Sequence, residues 1–218
     1  MRDLGIAATA LCLALILPLS YAQADTTANI RSTVLDVERY LLLYSNSGDD
    51  RFWVQMNQAA NQLGEQVKAE KGVATLETIL STYQDYAAGV RAAYSEKDFD
   101  LNTSLTQAFD IFSLLDSFLP ADTTGSAPSL ADNLRAFALL SIRQDTPLAK
   151  TNDPETIDQL ASDIGVQIDL LPQAYRQVPL RWKYLQTAHR DGKPLIYPFN
   201  AQVEFILAQL EQAPAASP

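Results

Sequence analysis

The sequence is poor in the side chains that carry most enzyme chemistry. It contains one cysteine, Cys12, one histidine, His189, and two methionines. A single histidine excludes the usual zinc sites that take two or three histidines from one chain. No G-x-S-x-G motif is present to place a nucleophilic serine beside His189. A haem held by His189 and Met56 is disfavoured, because Met56 lies among the core positions of a predicted helix. We therefore expect no metal and no cofactor.

The chain also lacks clustered glycines and a net positive charge. Its eight glycines lie too far apart to form the glycine-rich loop that holds nucleotide phosphates. The formal net charge is −10 at pH 7, with a pI of about 4.5. Such a surface repels phosphate backbones and anionic lipid headgroups, so nucleic acid is excluded as a partner.

The N-terminus has the pattern of a cleavable secretory signal peptide. Arg2 precedes an apolar stretch from Leu4 to Leu19, which is short for a membrane span of about 20 residues. The tripeptide Ala22-Gln23-Ala24 then places small residues just before the polar Asp25. This pattern predicts cleavage after Ala24, and the alternative is an uncleaved N-terminal anchor.

Cleavage after Ala24 decides both the compartment and the thiol chemistry. It would remove residues 1–24, including Cys12, so the mature chain would have no thiol and no disulfide. We expect a protein of the bacterial periplasm, or a secreted one, with no stable membrane insertion after cleavage. Packing alone must then stabilise the mature chain.

Apolar residues recur at helical spacing along most of the chain, which predicts an all-α fold. The expected helices cover residues 28–46, 50–71, 73–96, 103–119, 129–143, 154–172, 179–190 and 199–212. Because most connections are short, neighbouring helices should be antiparallel. We expect an antiparallel helical bundle of about seven to eight helices, either as one compact body or as two packed helical halves.

The predicted helical domain covers residues 25–213. Residues 120–128 have no periodicity and concentrate turn-forming residue types, so they form the one candidate linker. That linker would divide residues 25–119 from residues 129–213. Residues 214–218 are predicted to be a disordered tail.

A basic and aromatic segment between residues 175 and 197 stands out in this acidic chain. Arginine forks and flat aromatic rings together can hold a carboxylate, an acidic sugar or an acidic partner surface. The predicted ligand- or partner-binding residues are Arg176, Arg181, Trp182, Lys183, Tyr184, His189 and Arg190.

The same segment has a purely structural interpretation. Trp182, Leu185 and His189 are spaced three and four residues apart, so they can share the buried face of a helix. Lys183 and Arg190, seven residues apart, would then form a solvated stripe. Both interpretations stay open at this point.

Residues 39–53 carry a local resemblance to a known class of domain. Arg39-Tyr40-Leu41-Leu42-Leu43 is followed by Gly48-Asp49 and then by Arg51-Phe52-Trp53 at the start of a second long helix. This pattern resembles the first hairpin of the extracytoplasmic helical-bundle sensor domains of bacterial chemoreceptors and histidine kinases. The resemblance implies a free-standing periplasmic bundle that binds a ligand or a membrane-bound partner, and it transfers no functional residues.

These observations favour a non-enzymatic periplasmic binding or accessory protein. Its partner would be an envelope protein or a small anionic ligand that contacts the basic segment. The alternative is a periplasmic enzyme or small-ligand carrier with a site between helices, built from Tyr83, Tyr86 and Tyr94.

Overall fold

The computed structural model describes residues 17–68, 73–96, 100–119, 127–144, 146, 148, 154–190 and 195–212. It contains the helices α1 (Leu17–Ser47), α2 (Asp50–Val67), α3 (Val73–Ala92), α4 (Leu101–Phe118), α5 (Leu130–Arg143), α6 (Pro154–Asp169), α7 (Val178–Arg190) and α8 (Ile196–Glu211). A 3-10 turn, Gln173–Tyr175, precedes α7. No strand occurs in these residues, which confirms the all-α prediction and its helix number.

Helix α2 shows how the sequence specifies a helix. The Asp49 carboxylate accepts a hydrogen bond from the Arg51 backbone N–H at 2.9 Å, which caps the first turn. The apolar face is buried throughout and comprises Phe52, Met56, Ala60, Leu63 and Val67. Their spacing of three and four residues places them on one side of the helix. The core assignment of Met56 is therefore confirmed.

Helix α4 begins earlier than expected. The expected start was residue 103, and the helix begins at Leu101. The Asp100 carboxylate accepts a hydrogen bond from the Thr103 backbone N–H at 2.6 Å. Aspartate and asparagine are equally good N-caps, so the sequence alone does not distinguish Asp100 from Asn102 as the N-cap of α4. Ser129 caps α5, because its hydroxyl accepts a hydrogen bond from the Asp132 backbone N–H.

Helix α1 lies at the centre of the packing. It forms a tight hairpin with α2 and also packs against α3, α4 and α5. Helices α3 and α4, α5 and α6, and α7 and α8 form further packed pairs, and α5 also contacts α8. Buried apolar side chains from all eight helices belong to one hydrophobic core. The two halves of the chain are thus joined through α1 and α5.

Several predicted features fall outside the described residues. These are residues 1–16 of the predicted signal peptide, most of the predicted linker, and the predicted tail at 214–218. Ala24 itself lies within α1, and cleavage after it stays a prediction. Within the described residues, no helix combines the length and apolar composition needed to cross a membrane.

The turn between α1 and α2 is held by one side chain from the segment just after α3 and one from α8. Gly48 has a φ of 67°, and the Tyr94 ring packs directly against it. The Tyr94 hydroxyl donates to the Ser45 carbonyl at 2.5 Å. The Tyr197 hydroxyl donates to Asp49 Oδ2 at 2.9 Å. The segment just after α3 and the start of α8 therefore fix this end of the bundle.

Candidate functional site

A cleft of about 400 Å³ lies between α5, α6 and α7. Its lining combines an apolar surface with several polar side chains. The lining residues are Phe137 from α5, Asp158, Ala161 and Ser162 from α6, and Gln186, His189 and Arg190 from α7. Of the seven predicted site residues, this cleft contains His189 and Arg190.

The imidazole of His189 is held in a fixed orientation. Its Nδ1 lies 3.1 Å from the Ser141 hydroxyl oxygen, and its ring meets the Phe137 ring edge-on with centroids 5.2 Å apart. Because Ser141 occupies Nδ1, Nε2 is the ring nitrogen that remains for a ligand. Ser141 is fully buried, so a substrate cannot reach its hydroxyl and it cannot serve as a nucleophile.

The His189 side chain is uncharged at neutral pH. Partial burial lowers the pKa of the imidazole from its ordinary value, the nearby Asp158 carboxylate partly offsets this effect, and Arg190 lowers the pKa further. A neutral imidazole offers hydrogen bonds rather than a charge. The fixed charges of the cleft are therefore those of Arg190 and Asp158.

Trp182 lies in the core, which matches the structural interpretation of its spacing. Its side chain is 4% exposed and packs edge-on against Phe137, with ring centroids 4.9 Å apart. Leu185 is fully buried on the same face. Trp182 therefore supports the helix packing beneath the cleft and is not on the surface with its basic neighbours.

The other predicted residues lie outside the cleft. Arg181 donates to Gln202 Oε1 at 2.8 Å and lies over the Phe205 ring at 4.7 Å, which ties α7 to α8. Arg176, Lys183 and Tyr184 are exposed. The segment that was continuous in sequence is thus divided among a cleft, a helix contact and an open surface. That any of these residues binds a ligand stays a prediction.

The tyrosines of the alternative site do not converge. Tyr83 is fully buried and stacks on Phe112 with ring centroids 3.8 Å apart. Tyr94 donates to the carbonyls of Tyr44 and Ser45 in the last turn of α1. Tyr86 is partly buried against the core. Their positions are those of residues that pack the helices together.

A second, larger feature was not predicted from the sequence. It is a polar groove of about 810 Å³, lined by residues of α1, α2, α5 and α8. The α2 wall carries four glutamines, Gln55, Gln58, Gln62 and Gln66. Their helical spacing is visible in the sequence, but a polar stripe on a helix ordinarily faces only water. Nothing in the sequence indicated that three other helices would enclose it.

A buried ion-pair network underlies this groove. Arg39 is fully buried, and its Nη2 donates to Asp36 Oδ1 at 2.8 Å and to Glu204 Oε1 at 2.7 Å. Its Nη1 donates to Asn200 Oδ1. Burial acts to lower the pKa of this guanidinium, but Glu204 and Asp36 raise it above its ordinary value. Arg39 is therefore a permanent charge that joins α1 to α8.

Arg135 extends the network into the groove itself. Its Nε donates to Asp36 Oδ2 at 2.8 Å, so Asp36 accepts from two guanidinium groups. Arg135 Nη2 also lies 3.4 Å from Glu211 Oε1. The Tyr40 hydroxyl donates to Glu204 Oε1 at 2.8 Å, and burial raises the pKa of Tyr40 above its ordinary value.

Two further observations bear on function. Among the described residues, no group of three His, Cys, Asp or Glu side chains could hold a metal ion. Comparison with known proteins gives no match by family model, by curated sequence or by solved structure. The cleft and the groove are the two candidate sites.

Proposed function

We propose that this chain is a non-enzymatic binding protein that acts outside the cytoplasmic membrane and holds a small carboxylate-bearing molecule in the His189 cleft. One observation carries the proposal. The cleft places a cation, Arg190, and an anion, Asp158, on facing helices around a neutral imidazole and an apolar surface. Pockets of a few hundred Å³ with few convergent polar groups are typical of small-molecule sites.

The charges in the cleft match a zwitterion. The Arg190 guanidinium can pair with a carboxylate, and Asp158 can accept hydrogen bonds from an ammonium group. His189 and Gln186 offer neutral hydrogen bonds. Phe137 and Ala161 offer contact to an apolar side chain. A free amino acid carries all these groups in a molecule of suitable size.

The proposed location depends on the N-terminal sequence. The apolar stretch and the small residues before Asp25 favour export. The local resemblance of residues 39–53 to extracytoplasmic sensor domains agrees with this location and with ligand binding.

Isothermal titration calorimetry of the purified protein tests the ligand class. The probes are the free amino acids, with acetate as a carboxylate that lacks an ammonium group. We expect at least one amino acid to bind more tightly than acetate, and Arg190→Gln or Asp158→Asn to weaken that binding roughly tenfold or more. Lys183→Gln is the matched control, because Lys183 is an exposed cation of the same helix outside the cleft.

Two results would defeat the proposal. One is the absence of binding by every amino acid tested. The other is binding that both cleft variants retain at wild-type affinity. Chemical turnover of a bound probe would instead place the protein among the enzymes.

A further inference from the structure

The glutamines of α2 form a regular ladder along the polar groove. Gln58, Gln62 and Gln66 follow each other at intervals of four residues, and Gln55 begins the row. None of these side-chain amides hydrogen-bonds to another residue that the structure describes. Gln66 Oε1 is buried and accepts no hydrogen bond from the residues that the structure describes. A buried, unpaired amide oxygen is costly, so its position favours an external donor.

The spacing of this ladder fits an extended polypeptide. Four residues of α-helix rise about 6.0 Å, whereas two residues of extended chain span about 6.4 to 6.8 Å. Gln58, Gln62 and Gln66 can therefore meet alternate residues of a strand laid along α2. A primary amide offers both a donor and an acceptor, which are the two groups that each peptide unit needs.

The charge of the facing walls selects the kind of polypeptide. Asp36, Asp132 and Glu211 line the groove, and among the lining residues that the structure describes Arg135 is the one cation. Arg135 is already engaged by Asp36 and Glu211. The groove therefore has excess negative charge within a chain of net charge −10. A basic segment would be attracted and an acidic segment repelled.

We propose that this groove binds an extended, lysine-bearing segment of a partner protein, with its backbone hydrogen-bonded to the α2 glutamines. The groove shares no residue with the His189 cleft. A negative result for one site therefore leaves the proposal for the other site unaffected.

Fluorescence anisotropy with the full chain tests this inference. The probe is a fluorescein-labelled eight-residue peptide of alternating lysine and threonine. We expect the double variant Gln58→Ala, Gln62→Ala to bind it roughly tenfold more weakly, because two exposed hydrogen-bonding side chains are lost. Alanine favours the helix, so the variant should keep its thermal melting profile.

The matched control is Asn61→Ala, which removes an exposed amide from the same helix outside the groove. It should bind the probe with wild-type affinity. A second probe is the same peptide with alternate backbone nitrogens methylated, which removes those N–H donors. Its binding should be at least tenfold weaker than that of the unmodified peptide.

Four results would overturn the inference. They are no binding of the basic peptide, equal binding of the methylated peptide, unchanged affinity in the double variant, and binding of an acidic glutamate–threonine peptide with equal affinity. Binding of chitohexaose in place of the peptide would assign the groove to a glycan.

Discussion

Gly48 is the residue on which the turn between α1 and α2 depends. Its φ of 67° lies in the left-handed region, which glycine adopts without steric cost. A Cβ at this position would stand 2.9 Å from Tyr94 Cε1. Backbone conformation and neighbouring ring therefore both require glycine here.

We expect Gly48→Ala to lower the free energy of unfolding by about 1–3 kcal/mol, because alanine is strained at this φ and displaces the Tyr94 ring. Urea denaturation measures the change. The control is Gly64→Ala within α2, where a Cβ would meet only Leu80 Cδ2 at 3.5 Å. Alanine is the better helix former, so this control should be unchanged or up to about 1 kcal/mol more stable. A Gly48→Ala protein as stable as wild type would contradict the prediction.

His189 should make stability depend on pH. Burial and Arg190 lower its pKa in the folded state, with Asp158 opposing and Ser141 contributing a neutral contact. The unfolded chain therefore takes up the proton first as the pH falls through the ordinary value of about 6.5. Stability contributed by the neutral imidazole is present above that pH and decreases below it.

The measurement is the melting temperature between pH 7.5 and pH 5 for wild type and His189→Gln. We expect the melting temperature of wild type to fall further than that of the variant between pH 7.5 and pH 5, because glutamine does not titrate. Parallel curves for the two proteins would show that His189 has no part in the pH response.

At the scale of helices, Arg39 joins the first helix to the last. Replacing it with methionine leaves the buried Asn200 and the partly exposed Glu204 without this donor, and we expect a loss of about 1–3 kcal/mol in the free energy of unfolding. Adding Glu204→Leu should recover part of that loss, because the unpaired charge is then removed.

Chemical denaturation of these variants measures the effect. The control is Lys68→Met, which removes an exposed ion pair with Glu65 and should leave the unfolding midpoint unchanged. An Arg39→Met protein that unfolds at the same denaturant concentration as the control would show that the network does not stabilise the fold.

Periodicity predicted the helices well, because the same residues that repeat along a helix are those that become buried. Boundaries were less accurate where polar residues are adjacent, as at Asp100 and Asn102. Helix α8 begins at Ile196, three residues before the predicted start, because Pro198 is tolerated in the first turn.

The candidate sites were less predictable than the helices. His189 and Arg190 were found from local composition, but Asp158 belongs to another helix and only packing brings it to the cleft. Nothing in the sequence indicated that Arg39 would be buried, because a charged residue in a helix is ordinarily exposed. Its partners Asn200 and Glu204 lie on α8, at the other end of the sequence.

At the scale of the whole molecule, the predicted export has a chemical signature. We expect the exported protein to begin at Asp25 and to show no reaction with a thiol reagent after denaturation, because Cys12 leaves with the signal peptide. Intact mass spectrometry and thiol titration check this expectation.

The control for that measurement is Ala24→Arg, since signal peptidase requires a small residue at this position. The variant should keep residues 1–24 and one reactive thiol. A wild-type protein that retains the Cys12 thiol would show that the chain is not processed there.

The buried Arg39 network also bears on the order in which the protein folds. Arg39 is synthesised early, whereas Asn200 follows it 161 positions later and belongs to the last helix. Until α8 exists, two of the three side-chain partners of Arg39 are missing, and burying the guanidinium without them costs several kcal/mol. A nascent chain therefore has a reason to stay loosely packed until its final helix docks. Such a late closing step would suit the export across a membrane that we propose for this chain.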